Sequence, residues 1–179
     1  MTAGILNAPD STFNPASDPY LAETYGPEDP LGPKAANKVA LQKALGLIED
    51  PEAPLLFWPS RLDPCGLPQM IGAIYGAPPI AHEVGGLRDT VRHLNPEQHA
   101  GNGFLFKTYD SGGLFWAIQQ AMSFYHLPVH ARSDQISRIM TEGTGTFNHK
   151  MTARHYIDLY HKLLRDPVVE RMEEESRIL

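Results

Sequence analysis

The sequence has a single cysteine, Cys65, in 179 residues. One thiol cannot form an intramolecular disulfide, and it offers no cysteine cluster to zinc. That usage fits a reducing, cytoplasmic setting. No apolar run approaches the roughly 18–20 residues of a membrane-spanning helix, so no membrane partner is expected. The opening Met-Thr-Ala-Gly-Ile-Leu-Asn lacks a basic stretch followed by an apolar one, so no signal peptide is expected, and it reads like a chain met in mid-protein. Positive charge is also short. Fifteen Lys and Arg against 21 Asp and Glu give a net charge of −6. Such a surface attracts neither nucleic acid nor anionic membrane. A phosphate site would have to be local, built from backbone N–H groups and one or two basic side chains.

The eight histidines are scattered. His126 and His130 have i,i+4 spacing, but Pro128 between them argues against a metal-binding helix face, and no metal site is expected. Gly143-Thr-Gly-Thr146 has only a weak likeness to a phosphate loop and reads as a flexible connection. Tyr156 and Tyr160 are expected in the core. Glu173-Glu-Glu175 reads as a solvated face.

Residues 7–33 hold Pro9, Pro15, Pro19, Pro27, Pro30 and Pro33, too many for a helix or a central strand. A helix is expected over 34–45, with Val39, Leu41, Leu45 and Leu47 on its apolar side and Gly46 as its cap. Pro54-Leu-Leu-Phe-Trp-Pro-Ser60 reads as a buried strand. Further strands are expected at 79–82 and 103–106. Helices are expected at 68–75, 87–91, 114–125, 133–140 and 152–164, the last packed on the sheet. Residues 166–179 form an acidic tail. Strands alternating with helices predict an α/β fold with a partial, Rossmann-like parallel sheet. Residues 1–50 read as a linker with a first helix, and 51–165 as the domain.

In an open α/β sheet, ligands bind where strand ends turn into helices. Two turns have that form. Cys65-Gly66-Leu67 precedes a helix opened by Pro68, which removes one donor; the remaining N–H groups and the helix dipole favour an anion, most simply a diphosphate. Gly85-Gly86 permits close approach of backbone to ligand. Arg61 could clamp a phosphate through its planar fork.

The order of these pieces carries a resemblance. Asp63-Pro-Cys-Gly-Leu-Pro-Gln-Met70, then Tyr75-Gly-Ala-Pro-Pro-Ile80, then Gly85-Gly-Leu-Arg-Asp-Thr-Val91, is similar to the Glu-Pro-Cys-Gly-Leu and Gly-Gly-Leu-x-Asp-Thr-Val signature of the glycogen and starch synthases. Gly4-Ile-Leu-Asn-Ala-Pro-Asp10, Asn14-Pro15, Asp18-Pro19, Asn37-Lys38, Ser60-Arg-Leu62, Gly101-Asn-Gly-Phe-Leu-Phe106 and Ala153-Arg-His-Tyr-Ile-Asp-Leu-Tyr160 resemble that family in order. The resemblance implies the C-terminal domain of a GT-B glycosyltransferase. It implies transfer of glucose from ADP-glucose, or UDP-glucose, to the non-reducing end of an α-1,4-glucan, with retention and with neither metal nor other cofactor. By resemblance Asn7 would contact the donor glucose and Arg61 the diphosphate. Cys65, Gly66 and Leu67 would donate backbone N–H groups, Asp63 would stand for the family's Glu, and Gly85 and Gly86 would line the pocket.

The chain departs from the pattern in one place above all. The family has Gln-Lys-Gly after Ser-Arg-Leu; here Asp63-Pro64 runs straight into Cys65-Gly66. This implies an internal deletion, at ~30 residues per βαβ unit two or three units, that removes the base pocket and a phosphate-binding lysine. Asp63 then reads in two ways, as the loop Asp of the first motif or as the catalytic residue standing in place of the family's Glu. Ala8 replaces a family glycine and Val84 a threonine. These 179 residues are also expected not to include the family's N-terminal Rossmann domain with its Lys-x-Gly-Gly motif. The expectation is a chain that does not turn over alone. It would bind ADP weakly, or act as a non-catalytic phosphate-binding or assembly module that docks on a separate N-terminal domain or a full-length synthase.

Overall fold

A computed structural model describes residues 4–50 and 66–164. The strand expected at 54–59, the side chains of Arg61, Asp63 and Cys65, and the acidic tail lie outside the described residues. Eight elements follow one another: α1 (Leu31–Ala44), α2 (Pro68–Ile74), β1 (Ile80–His82), α3 (Gly85–Thr90), β2 (Phe104–Phe106), α4 (Ser111–Tyr125), α5 (Val129–Thr146) and α6 (His149–Leu164).

The described strands pair in parallel, Ile80 with Phe104 and His82 with Phe106. β2 is an apolar run that follows Gly103, and β1 follows two prolines and buries Ile80 and Ala81 before ending at His82. Outside β2 the chain after α3 runs alongside, with Leu94 N–H donating to Gly103 O at 2.7 Å. Helix α4 packs on both strands and α2 packs on α5. Ile80, Phe104, Phe106, Ala117, Phe124, Ile139 and Met140 form the core. This is the α/β arrangement with a parallel sheet that the residue pattern predicts.

Helix boundaries show where local chemistry acts. α1 begins at Leu31, three residues before the expected start, because Pro33 sits in a first turn that has no N–H to lose. Its end is a Schellman motif: Leu47 N–H reaches Gln42 O at 2.8 Å around Gly46, which has φ +66°. α2 ends in the same way, with Ala77 N–H on Gly72 O at 2.7 Å around Gly76. α4 is capped by Asp110, whose carboxylate accepts from Gly113 N–H at 2.7 Å.

Three expectations are corrected. Residues 143–146 are not a flexible connection but the last turn of α5. A Cβ on Gly143 would lie 3.0 Å from Ala73, so the glycine is there to let α5 approach α2. Second, α6 buries no residue and does not cover the sheet; Tyr156 and Tyr160 are exposed rather than core. Third, the apolar side of α1 is largely exposed. Leu41, Leu45 and Leu47 face outward, and the buried residue of that helix is Gln42. Its carboxamide pairs with Asp50, donating to the carbonyl at 3.1 Å and accepting from the N–H at 3.2 Å.

The proline-rich segment is docked, not loose. Tyr25 Oη–H and Lys34 Nζ both donate to Tyr75 O, at 3.0 and 2.8 Å, and Tyr75 Oη–H donates to Asp18 Oδ2 at 2.6 Å. Burial lowers the Lys34 pKa to about 8. Burial, and then the nearby Asp18 carboxylate, raises Tyr25 to about 12 and pushes Tyr75 up as well. The Tyr75 hydroxyl, followed by the Tyr20 N–H, holds Asp18 below its ordinary value.

Candidate functional site

Of the two turns, the first places Gly66 at φ +64°, a left-handed conformation that suits glycine, directly before α2. Leu67 takes the N-cap position and Pro68 opens the helix. The second turn follows β1. Val84 is extended, and Gly85 at φ +47° and Gly86 begin α3. Among the described residues no side chain caps the N-terminus of either helix. The N–H groups of Met70 and Ile71 bond Leu67 O in α2, and those of Leu87 and Arg88 bond Val84 O in α3, so donors for an anion would have to come from the turns themselves.

The structure ties these turns together. Gln69 Nε2 donates to Gly66 O at 2.8 Å and to Thr90 Oγ1 at 3.0 Å. Thr90 Oγ1–H donates to Gly86 O at 2.6 Å. Gln69 and Thr90 are 4% and 5% exposed, so this relay is shielded from water. Reasoning from the sequence placed Gly66, Leu67, Gly85 and Gly86 in one site but missed Gln69 and Thr90. A signal existed. Gln69 is three residues after Gly66 and Thr90 four after Gly86, the helical spacings at which a side chain folds back on a carbonyl.

Other candidates stand apart. Asn7 is exposed on the N-terminal segment and, among the described residues, bonds neither turn. Its neighbour Leu6 accepts at its carbonyl from Thr152 Oγ1 of α6 at 3.1 Å. His82, at the carboxyl end of β1, was missed as well. Its ring lies against Phe106 and Tyr109, with centroids 5.3 and 4.9 Å away. Its Nε2 is 3.2 Å from Lys107 O, and Nδ1 is buried with no partner among the described residues. No group of three His, Cys, Asp or Glu among the described residues is placed to hold a metal ion.

A cleft of about 650 Å³ opens beyond the outer edge of β2. Glu83, Arg88, Arg92, His93, Lys107 and Trp116 line it, and neither Gly66–Leu67 nor Gly85–Gly86 does.

A parallel sheet whose strand ends lead through glycine turns into helices is the architecture of a GT-B glycosyltransferase C-terminal domain, of which this chain has part. The structure matches the catalytic domain of starch synthase IV from Arabidopsis thaliana, solved with ADP and acarbose, with a TM-score of 0.72 at 23% identity over 85% of this chain and 47% of that one. In sequence the chain is 41% identical over 113 residues to a glycogen synthase of Thermotoga petrophila, and 40% identical over 111 residues to one of Streptococcus pneumoniae. These stretches cover 63% and 62% of this chain but 22% of either relative, so the chain spans about a fifth of their length. No family model matches. Over these stretches the chain is similar to the glycogen synthases, and its fold is that of part of a starch synthase catalytic domain.

Proposed function

We propose that this chain carries the phosphate-facing part of a nucleotide-sugar site of the glucan-synthase kind, binding ADP or ADP-glucose weakly and transferring no glucose alone. The observation that supports this most is the Gln69–Thr90 relay, which holds the two family motifs in one fixed arrangement. Backbone donors held in place in advance cost little reorganisation when an anion arrives. Arg61 would add a charge-assisted pair, and Cys65 a further N–H. Asn7 and Asp63 would serve the glucose if a complete site were assembled around them. A reducing, cytoplasmic setting agrees with the single cysteine.

Catalysis needs more than this. Losing one preorganised charge-stabilising group costs ~2.7–4 kcal/mol of barrier, and no Gln-Lys-Gly follows Ser60-Arg-Leu62 to supply the family's lysine. Radiolabelled ADP-glucose incubated with glycogen and the isolated chain is therefore expected to give no incorporation above the enzyme-free blank. Incorporation that Arg61→Ala abolishes would overturn this. In an NMR titration, ADP should shift residues 66–69 and 84–87 with a dissociation constant on the order of 1 mM, the value for about 4 kcal/mol of binding. Tight binding with a clear base preference would show the reading of the site to be wrong.

A second reading, an assembly module, draws on α6. Its exposed Tyr156, Ile157, Tyr160, Leu163 and Leu164 form an apolar surface suited to a separate N-terminal domain or a full-length synthase. Titration with such a domain that shifts α6, and not the turns, would favour it.

A further inference from the structure

We propose that the cleft beyond β2 is a binding site for a phosphorylated ring compound, a sugar phosphate or a nucleoside monophosphate, that acts independently of the two glycine turns. Its volume of about 650 Å³ falls within the range of small-molecule sites, roughly 300–1,000 Å³. Charge is the first argument. The whole chain carries −6, yet Arg88 and Arg92 from one stretch and Lys107 from another line this cleft against one carboxylate, Glu83. Arg88 and Glu83 are 3.9 Å apart, the loose end of ion-pair geometry, and the Arg88 side chain is 71% exposed. Among the described residues neither Arg92 nor Lys107 pairs with a carboxylate. Local positive charge in an acidic chain is the pattern of a small anion site.

The platform is the second argument. His93 Nδ1 accepts from Leu105 N–H at 3.3 Å, so a neutral ring carries its proton on Nε2 and is a donor there. The imidazole stacks on the Trp116 indole, with centroids 5.2 Å apart and planes 24° apart, and Phe104 supports it edge-on at 6.1 Å. Trp116 is held in position yet remains 45% exposed. A fixed, half-exposed aromatic beside cations fits a ligand with one flat or apolar face and one anionic group. Three cations are too few for a nucleic-acid track, and the net charge opposes one.

The probes are AMP, glucose 1-phosphate, inorganic phosphate and maltose, each titrated into the full chain and followed by NMR. AMP or glucose 1-phosphate should shift the Trp116 indole N–H together with residues 88–93 and 105–108, and whichever of the two binds more tightly identifies the ring. Arg92→Ala and Lys107→Ala, both exposed positions, should each weaken that binding about tenfold. Unchanged melting curves would show that these variants still fold. Three results overturn the proposal. One is silence of Trp116 with both esters at about 10 mM, where a 1 mM site would be nearly full. Another is maltose or inorganic phosphate binding as well as the esters. The third is shifts confined to 66–69 and 84–87, which would leave the nucleotide-sugar reading standing and remove this one.

Discussion

Lys34 is an amine buried at a joint between the proline-rich segment and α2. Its folded pKa of about 8 lies below the ordinary 10.5, so the unfolded chain holds more protons between those values. Stability must therefore rise with pH across that window. Tyr25 acts oppositely: its folded value of about 12 exceeds 10.0, so its contribution is lost as pH climbs through that range. Urea unfolding followed against pH should show stability increasing from about pH 8 to near 10, by about 1–3 kcal/mol, and then falling. Lys34→Met should remove the rise, since Tyr75 O keeps the Tyr25 hydroxyl as partner. An unaltered rise in that variant would mean that other groups cause it.

The Gln69–Thr90 pair allows a second test at this scale. Gln69→Ala or Thr90→Val should each destabilise by about 1–3 kcal/mol, because buried partners lose hydrogen bonds. The double variant should cost less than the sum. Full additivity would show that the two side chains act separately. Both residues lie within the motifs that carry the family resemblance, but motif reading looks at backbone donors. It does not ask which side chains fold back to hold them.

Among the elements, α5 shows most clearly what sequence leaves out. Gly143-Thr-Gly-Thr146 has poor helix propensity, about 1 kcal/mol per glycine against alanine, and reads as a break. The helix continues because close packing on α2 outweighs that deficit, and the same glycine that weakens the helix permits the packing. Gly143→Leu should therefore destabilise by about 1–3 kcal/mol through overpacking, in spite of leucine's better propensity. Thermal unfolding of that variant against Gly145→Leu, where nothing lies within 4 Å, is the direct comparison. The Gly145 variant should be neutral or better, and equal effects at both positions would refute the packing account. The two described strands, by contrast, were legible at once. Phe104-Leu-Phe106 after Gly103, and Ile80-Ala81 after two prolines, are too short for helices and too apolar for a surface loop. The stripe on α6 was legible as amphipathic, but amphipathicity says that a face seeks cover, not that this chain supplies it.

At the scale of the whole molecule, the family resemblance could be read from motif order, and it placed Gly66, Leu67, Gly85 and Gly86 in one site. The cleft beyond β2 could not be read. It joins Arg88, Lys107 and Trp116 from separate elements, and no local pattern announces such a meeting. The relay beneath the turns has a further consequence. Because Gln69 bonds both Gly66 and Thr90, and Thr90 bonds Gly86, relaxation of one turn is expected to disturb the other. A ligand that quiets one loop must lower the amide exchange rate of the other. By thermodynamic reciprocity, whatever factor an anion at the first turn contributes to affinity at the second, an occupant of the second returns to the first. The expected behaviour is that of one cooperative element written in two distant stretches of sequence, and unchanged amide exchange at the second turn when the first is occupied would refute it.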